Sequence, residues 1–274
     1  MRKVMHLSDL HFGRTDPTVV MALRQIARRL DPDLIVVSGD LTQRARIREF
    51  VAARAFLDSL AAPALVVPGN HDVPLYNIAA RFLAPLKRYR RLLASEVEPA
   101  FVDDEMAVVG INTARSLTFK GGRINHDQVQ RAIALFCGTS NARIRILVTH
   151  HPFDLPGIRE ATNLVGRAAM AMSTLGECMP DLLLAGHLHL HATGTTVERY
   201  DLNGHSAIVV QAGTATSTRV RGARNSFNLL HVDRSRIAVD RFDWSSSGKD
   251  FNLHSTCRFV RREGEWRRAD AAGA

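Results

Sequence analysis

The chain has 274 residues, 46% of them apolar and 23% charged, with a formal net charge of +9 and a pI near 10.3. That length and balance exclude a disordered or fibrous chain and allow a single α/β domain. No apolar run approaches the roughly 18 residues of a membrane span, and the opening "MRKVMHLSDL" lacks the apolar core of a signal peptide, so the chain reads as cytoplasmic.

The first half alternates strand and helix patterns. "KVMHLSD" reads as an apolar strand, and "PTVVMALRQIARRL" as an amphipathic helix with Thr15 or Asp16 as N-cap and Pro17 in its first turn. "DLIVVSGD" is a continuous apolar run, as expected of a strand buried on both faces. "RIREFVAARAFLDSL" predicts a second helix, "ALVVPGNHD" a third strand ending in a turn, and "IAARFLAPLKRYRRLL" a third helix kinked at Pro85. "MAVVGINT", "HDQVQRAIALF" and "IRILVTHHP" continue as strand, helix and strand; a helix is expected within 159–178, and "DLLLAGHLH" is the next strand. After His191 the runs "ATGTTVERY", "SAIVVQAG", "SFNLLHVD", "IAVDRFDW" and "LHSTCRFVRR" alternate like antiparallel strands. No linker interrupts the chain. It is expected to be one domain over 1–274, with a strand-rich part at 190–260 and a basic tail at 261–274.

Cys137, Cys178 and Cys257 are odd in number, far apart and outside any C-x-x-C pattern, so they read as inert thiols rather than a disulfide framework or thiolate metal site. The positive field favours anionic partners: nucleotides, nucleic acids, phospholipids. "RFLAPLKRYRR" (Arg81 to Arg91) holds five basic residues and no acid, and the segment from Arg219 to the end adds twelve Lys/Arg against seven Asp/Glu. These runs read as solvated faces or as a nucleic-acid surface. Few aromatics separate them, which argues against a single-strand stacking platform.

Each buried strand ends in a polar cluster: Asp9 and His11, then Gly39-Asp40, Gly69-Asn70-His71-Asp72, His150-His151, and Gly186-His187-Leu188-His189. In α/β sheets, ligands bind beyond the carboxyl ends of the strands. The glycines read as tight turns that swing the next side chain to that rim.

The order Asp-x-His, Gly-Asp, Gly-Asn-His-Asp, His, Gly-His-x-His resembles the calcineurin-like metallophosphoesterase family, with blocks spanning residues 9–189. The resemblance implies a four-layer α/β/β/α sandwich of two mixed β-sheets flanked by helices. It implies two metal ions (Fe, Mn, Zn or Co), one held by Asp9, His11 and His189 and the other by Asn70, His150 and His187, with Asp40 bridging. Such a pair can activate a water between the ions. By the same resemblance His71 contacts the phosphate and protonates the leaving oxygen. Asp72 beside it reads either as the group that orients His71 or as a surface turn carboxylate, and His151, next to a ligand on a strand, is expected to point away from it and support the site from behind.

"SDLH", "GDLT", "PGNHD" and "HHP" are most similar to the small bacterial class III cyclic-nucleotide phosphodiesterase-like group. That likeness implies a phosphodiesterase acting on a small anionic phosphodiester such as 3′,5′-cyclic AMP, in a group whose members are often homodimers. A DNA or RNA nuclease is the alternative, and a non-catalytic metal-binding scaffold a remote third. Histidine rather than arginine at position 71 argues against the lipid A pyrophosphatases. Specificity is expected from Arg14–Pro17, Tyr76–Arg81, Arg115–Gly122 and Phe153–Arg159.

Overall fold

The computed structural model describes residues 1–140, 143–157, 164–196, 199–200, 205–218 and 224–269. In chain order it contains β1 (Arg2–Leu7), α1 (Pro17–Leu30), β2 (Leu34–Ser38), α2 (Ile47–Asp58), β3 (Ala64–Val67), α3 (Ile78–Leu83), α4 (Lys87–Leu92), β4 (Ala100–Val102), β5 (Met106–Gly110), α5 (His126–Gly138) and β6 (Ile144–Val148). It continues with α6 (Ala168–Leu175), β7 (Leu182–Ala185), β8 (Ala192–Thr195), β9 (Ile208–Gln211), β10 (Ser226–Val232), β11 (Arg236–Ser245), β12 (Asp250–Arg262) and β13 (Glu265–Arg268).

Two mixed sheets result. One has the order β13-β12-β11-β10-β1-β2-β3, the other β4-β5-β6-β7-β9-β8. The helix-alternating half of the sequence supplies the parallel pairs β1·β2, β2·β3, β5·β6 and β6·β7, and the strand-rich end adds antiparallel β10 to β13. Apolar runs such as Leu34–Ser38 are continuous because both faces are covered. Val36 packs between the sheets with Val4, Ile146 and Leu184, while Ile35 and Val37 join Leu23, Phe50 and Phe56 under α1 and α2. A third cluster packs α5 and α6 on the second sheet through Val129, Phe136 and Met172. The layers are therefore helix, sheet, sheet, helix, as the resemblance implied. Each fully buried Leu or Ile stabilises this stack by about 1.5–3 kcal/mol.

Local signals behave as their chemistry dictates. Asp16 caps α1, accepting the Thr18 amide at 2.8 Å, with Pro17 at the first position. Asn125 and Gln128 form a reciprocal cap on α5.

Several expectations need correction. The pattern over 78–93 is two short helices, because Ala84 leaves the helical region (φ −154°) just before Pro85, which has no N–H to continue the ladder. Residues 261–268 are no tail: β12 runs to Arg262, and β13 carries the fully buried Trp266. The Trp266 amide donates to Ser206 Oγ at 2.7 Å and its indole to Asp181 Oδ1 at 3.0 Å, stitching the edge of one sheet to the other. The remaining tail residues, 270–274, lie outside the described residues, as do 158–163 and 197–198 of the expected loop, helix and strand.

Cys137 and Cys178 form a disulfide with Cα atoms 5.5 Å apart, rather than standing as separate thiols. Packing of α5 beside α6 joins positions 41 residues apart, which spacing alone did not reveal. No helix among the described residues is long and apolar enough to cross a membrane.

Candidate metal centre

The parallel pairing of β1 and β2 continues past the strands: the Asp9 amide donates to Gly39 O at 3.1 Å and the His11 amide to Asp40 O at 2.9 Å. This locks two polar blocks into register at one rim. Thr214 and Thr216 hold the first block from the other side, donating to Asp9 O at 2.7 Å and Leu10 O at 2.6 Å.

The sharp turns fall on the candidate ligand residues themselves. Asp9 (φ 52°), His11 (49°), Asp40 (53°), His187 (76°) and His189 (59°) are all left-handed, a region that Asp and His tolerate better than most residues. Of the block glycines only Gly39 has positive φ (92°). Gly69 and Gly186 are required by close approach: a Cβ on Gly69 would collide with Asp40, and one on Gly186 with Ser8 Oγ and Asp9.

Two clusters form. In the first, Asp9 Oδ1 lies 3.6 Å from His11 Nε2 and 3.4 Å from His189 Nε2. The two imidazoles stack with centroids 5.1 Å apart. In the second, His150 Nε2 lies 3.1 Å from Asn70 Oδ1, and the His187 ring is 5.1 Å from that of His150. Asp40 stands between them, with Oδ1 3.4 Å from His150 Nε2 and Oδ2 3.8 Å from His11 Nε2.

The donor set fits two cations. Asp9 Oδ2 accepts from Ser8 Oγ at 2.7 Å and the His187 amide at 2.9 Å, but Oδ1 is buried without a hydrogen-bond partner and faces imidazole nitrogens. A buried carboxylate oxygen in that position requires a positive partner. His150 Nδ1 donates to Ser38 O at 2.7 Å, which directs Nε2 toward Asp40 and Asn70, the outer-shell arrangement of a metal-ligating histidine. Ligand atoms of Asp9, His11 and His189, and of Asp9, Asp40 and His150, gather within 4.8 Å of one another. Imidazole with carboxylate and no thiolate suits Fe, Mn, Zn or Co.

The electrostatics follow from this crowding. Burial pushes the Asp9 and Asp40 carboxyls up, but the surrounding histidines outweigh it and hold both well below the usual carboxylate range. Burial pulls His150 down, yet Asp40 and Asp9 raise it to about 9. His187 is lowered to about 4 by burial and by the charge of His150.

His71 sits at the opening of this centre. Its amide donates to Asp40 Oδ1 at 2.8 Å, its Nδ1 lies 2.9 Å from Gln43 O, and its ring meets that of His11 edge-on at 4.9 Å. Asp72 shapes the loop that carries His71: it accepts from the amides of Gly69 (2.9 Å), Leu41 (3.2 Å) and Thr42 (2.9 Å) and from Thr42 Oγ1 (2.9 Å). Burial and Asp40 raise its carboxyl to about 6. His151 is fixed at both nitrogens, Nδ1 by Thr113 Oγ1 at 2.8 Å and Nε2 by Lys120 O at 3.0 Å, with its ring 4.5 Å from that of His187. His191 continues the alternation of His187 and His189 but joins none of these ligand groups.

A cleft of about 420 Å³ opens over the centre, lined by Gln43, Arg44, His71, Leu75, Phe119 and Lys120 among others. Two of the four expected specificity segments thus flank it: 115–122 supplies Phe119 and Lys120, and Tyr76 reaches its rim with the Arg44 guanidinium 5.3 Å over the ring. Arg81, read from the sequence as part of a basic face, is only 2% exposed. Its Nε donates to Ser116 O at 2.7 Å, Nη1 to Pro74 O at 3.1 Å and Nη2 to Thr118 O at 3.0 Å, and its plane lies 4.3 Å from the Phe119 ring centroid. It clasps the cleft wall and is not free to meet a phosphate.

The model of the calcineurin-like phosphoesterase family matches residues 2–191. The chain belongs to the calcineurin-like phosphoesterase family. Among curated proteins it is 38% identical over 82 residues to the glycerophosphodiester phosphodiesterase GpdQ of Enterobacter lignolyticus, covering 24% of this chain and 28% of that protein. It is 32% identical over 113 residues to the UDP-2,3-diacylglucosamine pyrophosphatase LpxG of Chlamydia trachomatis, covering 34% of each. These matches span about a third of the relatives' length or less.

Among solved structures of this fold, a dimetal phosphatase from Danio rerio has a TM-score of 0.64 at 14% identity, covering 87% of this chain and 95% of that one. A purple acid phosphatase from yellow lupin has a TM-score of 0.66 at 13% identity, covering 96% and 54%. These neighbours match the sandwich of two mixed sheets and extend the likeness beyond residue 191 into the strand-rich end.

Proposed function

We propose that this member of the calcineurin-like phosphoesterase family is a dinuclear phosphodiester hydrolase acting on small diesters with an alkoxide leaving group, 3′,5′-cyclic AMP being the first to test. Asp9, His11 and His189 would hold one ion and Asn70, His150 and His187 the other, with Asp40 shared. The bound pair supplies Lewis acidity and lowers the pKa of water. Arg44 and Lys120 draw the anionic ester into the cleft, and Gln43 O fixes the orientation of the His71 ring. The observation that carries the reading is the position of His71, beside the clusters and anchored to Asp40 at 2.8 Å, where its imidazole can hold a proton for the departing oxygen. The partial likeness to a glycerophosphodiester phosphodiesterase supports a diester over a monoester.

The test is His71→Ala, with metal content measured in parallel. A ribose oxygen is a poor leaving group and nitrophenolate a good one, and general acid catalysis contributes roughly 10²- to 10⁴-fold. The variant should keep its metals and lose far more kcat/KM on cyclic AMP than on bis(p-nitrophenyl) phosphate. Equal losses would remove the acid role. The Cys137–Cys178 bridge weighs against a cytoplasmic location, since disulfides are rare in reducing compartments.

A further inference from the structure

The surface that runs out from the cleft's rim at Phe119 and Lys120 is apolar and basic at once. Among the described residues, Tyr76, Ile78, Phe82, Leu83, Leu117 and Phe119 are exposed, with Leu83 at 85% and Leu117 at 83%. These six are half of the twelve exposed large hydrophobics, and they come from only two segments. Arg81 ties those segments together through Ser116, Thr118 and Phe119, so their apolar side chains share one edge of the molecule. Next along the chain stand the exposed Lys87, Arg90 and Arg91, and Lys120 is exposed on the other segment. Neither 73–95 nor 106–126 contains an acidic residue.

An apolar patch of this kind marks a contact surface. Its fringe is cationic, with Glu96 the acid that borders Arg90 and Arg91, and a net-cationic apolar patch is the pattern of proteins that sink apolar side chains into an anionic lipid interface. A nucleic acid would use the cations but leave Ile78, Leu83 and Leu117 in water. A second copy of the chain would bring cations against cations. We propose that this rim docks on the surface of an anionic phospholipid bilayer, which places the cleft against the headgroup layer. The docking does not depend on the catalytic reading and is measured without turnover.

The experiment is co-sedimentation of the full chain with phosphatidylcholine vesicles, with and without about 30 mol% phosphatidylglycerol. Wild type should bind the anionic vesicles and only weakly the neutral ones, and binding should weaken with salt without vanishing. Leu83→Ser combined with Leu117→Ser should lower vesicle affinity about tenfold or more. Lys87→Glu with Arg91→Glu should abolish the preference for anionic lipid. All variants should keep the circular dichroism spectrum and thermal transition of wild type, which shows that they are folded. Failure of wild type to hydrolyse a soluble aryl diester would count against the proposed function and leave docking intact. Equal partitioning of wild type and the leucine variant would overturn the docking proposal. So would saturable DNA binding without vesicle binding, or a dimer, seen by light scattering, that the leucine variant dissociates while vesicles are ignored.

Discussion

Asp40 Oδ1 accepts the His71 amide proton at 2.8 Å and lies 3.4 Å from His150 Nε2. One carboxylate thus touches both the ligand cluster and the residue proposed to act on substrate. Asp40→Asn keeps a carbonyl oxygen for the His71 amide but loses the charge that offsets two cations. Asp40→Ala loses both. Each variant should retain fewer than two ions per chain after dialysis, and the alanine variant should be the less active at saturating metal. Two tightly held ions in Asp40→Ala would show that the clusters do not share this carboxylate.

The Arg81 clasp predicts a split in kinetic constants. Its carbonyl bonds are charge-assisted and buried, worth about 1.5–3 kcal/mol each when broken without replacement. Arg81→Met should loosen the segment bearing Phe119 and Lys120, raising KM for a bis-aryl diester about tenfold while kcat and metal content change little. Arg81→Lys should recover only part of the loss, since an ammonium cannot fork to several carbonyls. A fall in kcat with unchanged KM would place Arg81 in the chemistry instead.

Metal uptake should release protons. In the metal-free chain His150 titrates at about 9 because Asp40 and Asp9 favour its charged form. At about pH 7 its Nε2 therefore carries a proton that a cation must displace, so affinity should rise with pH by up to tenfold per unit and level off above about 9. Calorimetry in two buffers of different ionisation enthalpy should find about one proton released per chain. The stability His150 draws from its carboxylates is present at low pH and lost as pH rises through 9, because its folded pKa is raised above the ordinary 6.5.

The Cys137–Cys178 bridge predicts a thiol count. Alkylation of the denatured, unreduced chain should label Cys257 alone, and reduction should expose the other two. Replacing Cys137 by Ser should cost about 2–4 kcal/mol of stability. Three labelled thiols before reduction would show that the bridge does not form.

The candidate ligand blocks were legible because each is a short polar word at the end of an apolar strand, and Asp9, Asp40 and His187 each lie within a few residues of the strand that aims them. The layers were legible only through the resemblance; the runs alone marked which strands are buried and where alternating ones begin after His191. What could not be read depends on distant partners. Thr214 and Thr216 brace Asp9 and Leu10 from about 205 positions away, and nothing local marks them. Arg81 sits in a basic run with Arg90 and Arg91, yet it is the one cation of that run that is fully buried, where main-chain carbonyls meet its guanidinium. Trp266 was the one local hint of β13, since a tail seldom needs a tryptophan. Asp72 adjoins His71 in sequence, but its carboxylate is taken up by backbone amides.

Five side chains of the centre stand on left-handed backbone. For a residue with a Cβ, each such position costs about 1–2 kcal/mol relative to an ordinary conformation. Glycine would relieve that cost, but at 9 and 40 it would also leave buried donors unpaired, at about 1–3 kcal/mol each; at 11, 187 and 189 it would delete a proposed ligand. A library screened only for heat resistance without metal should therefore enrich glycine at 11, 187 and 189, and its sturdiest members should be inert. Thermal robustness and chemistry are selected in opposite directions at this rim, so laboratory evolution of the chain needs metal present in every round.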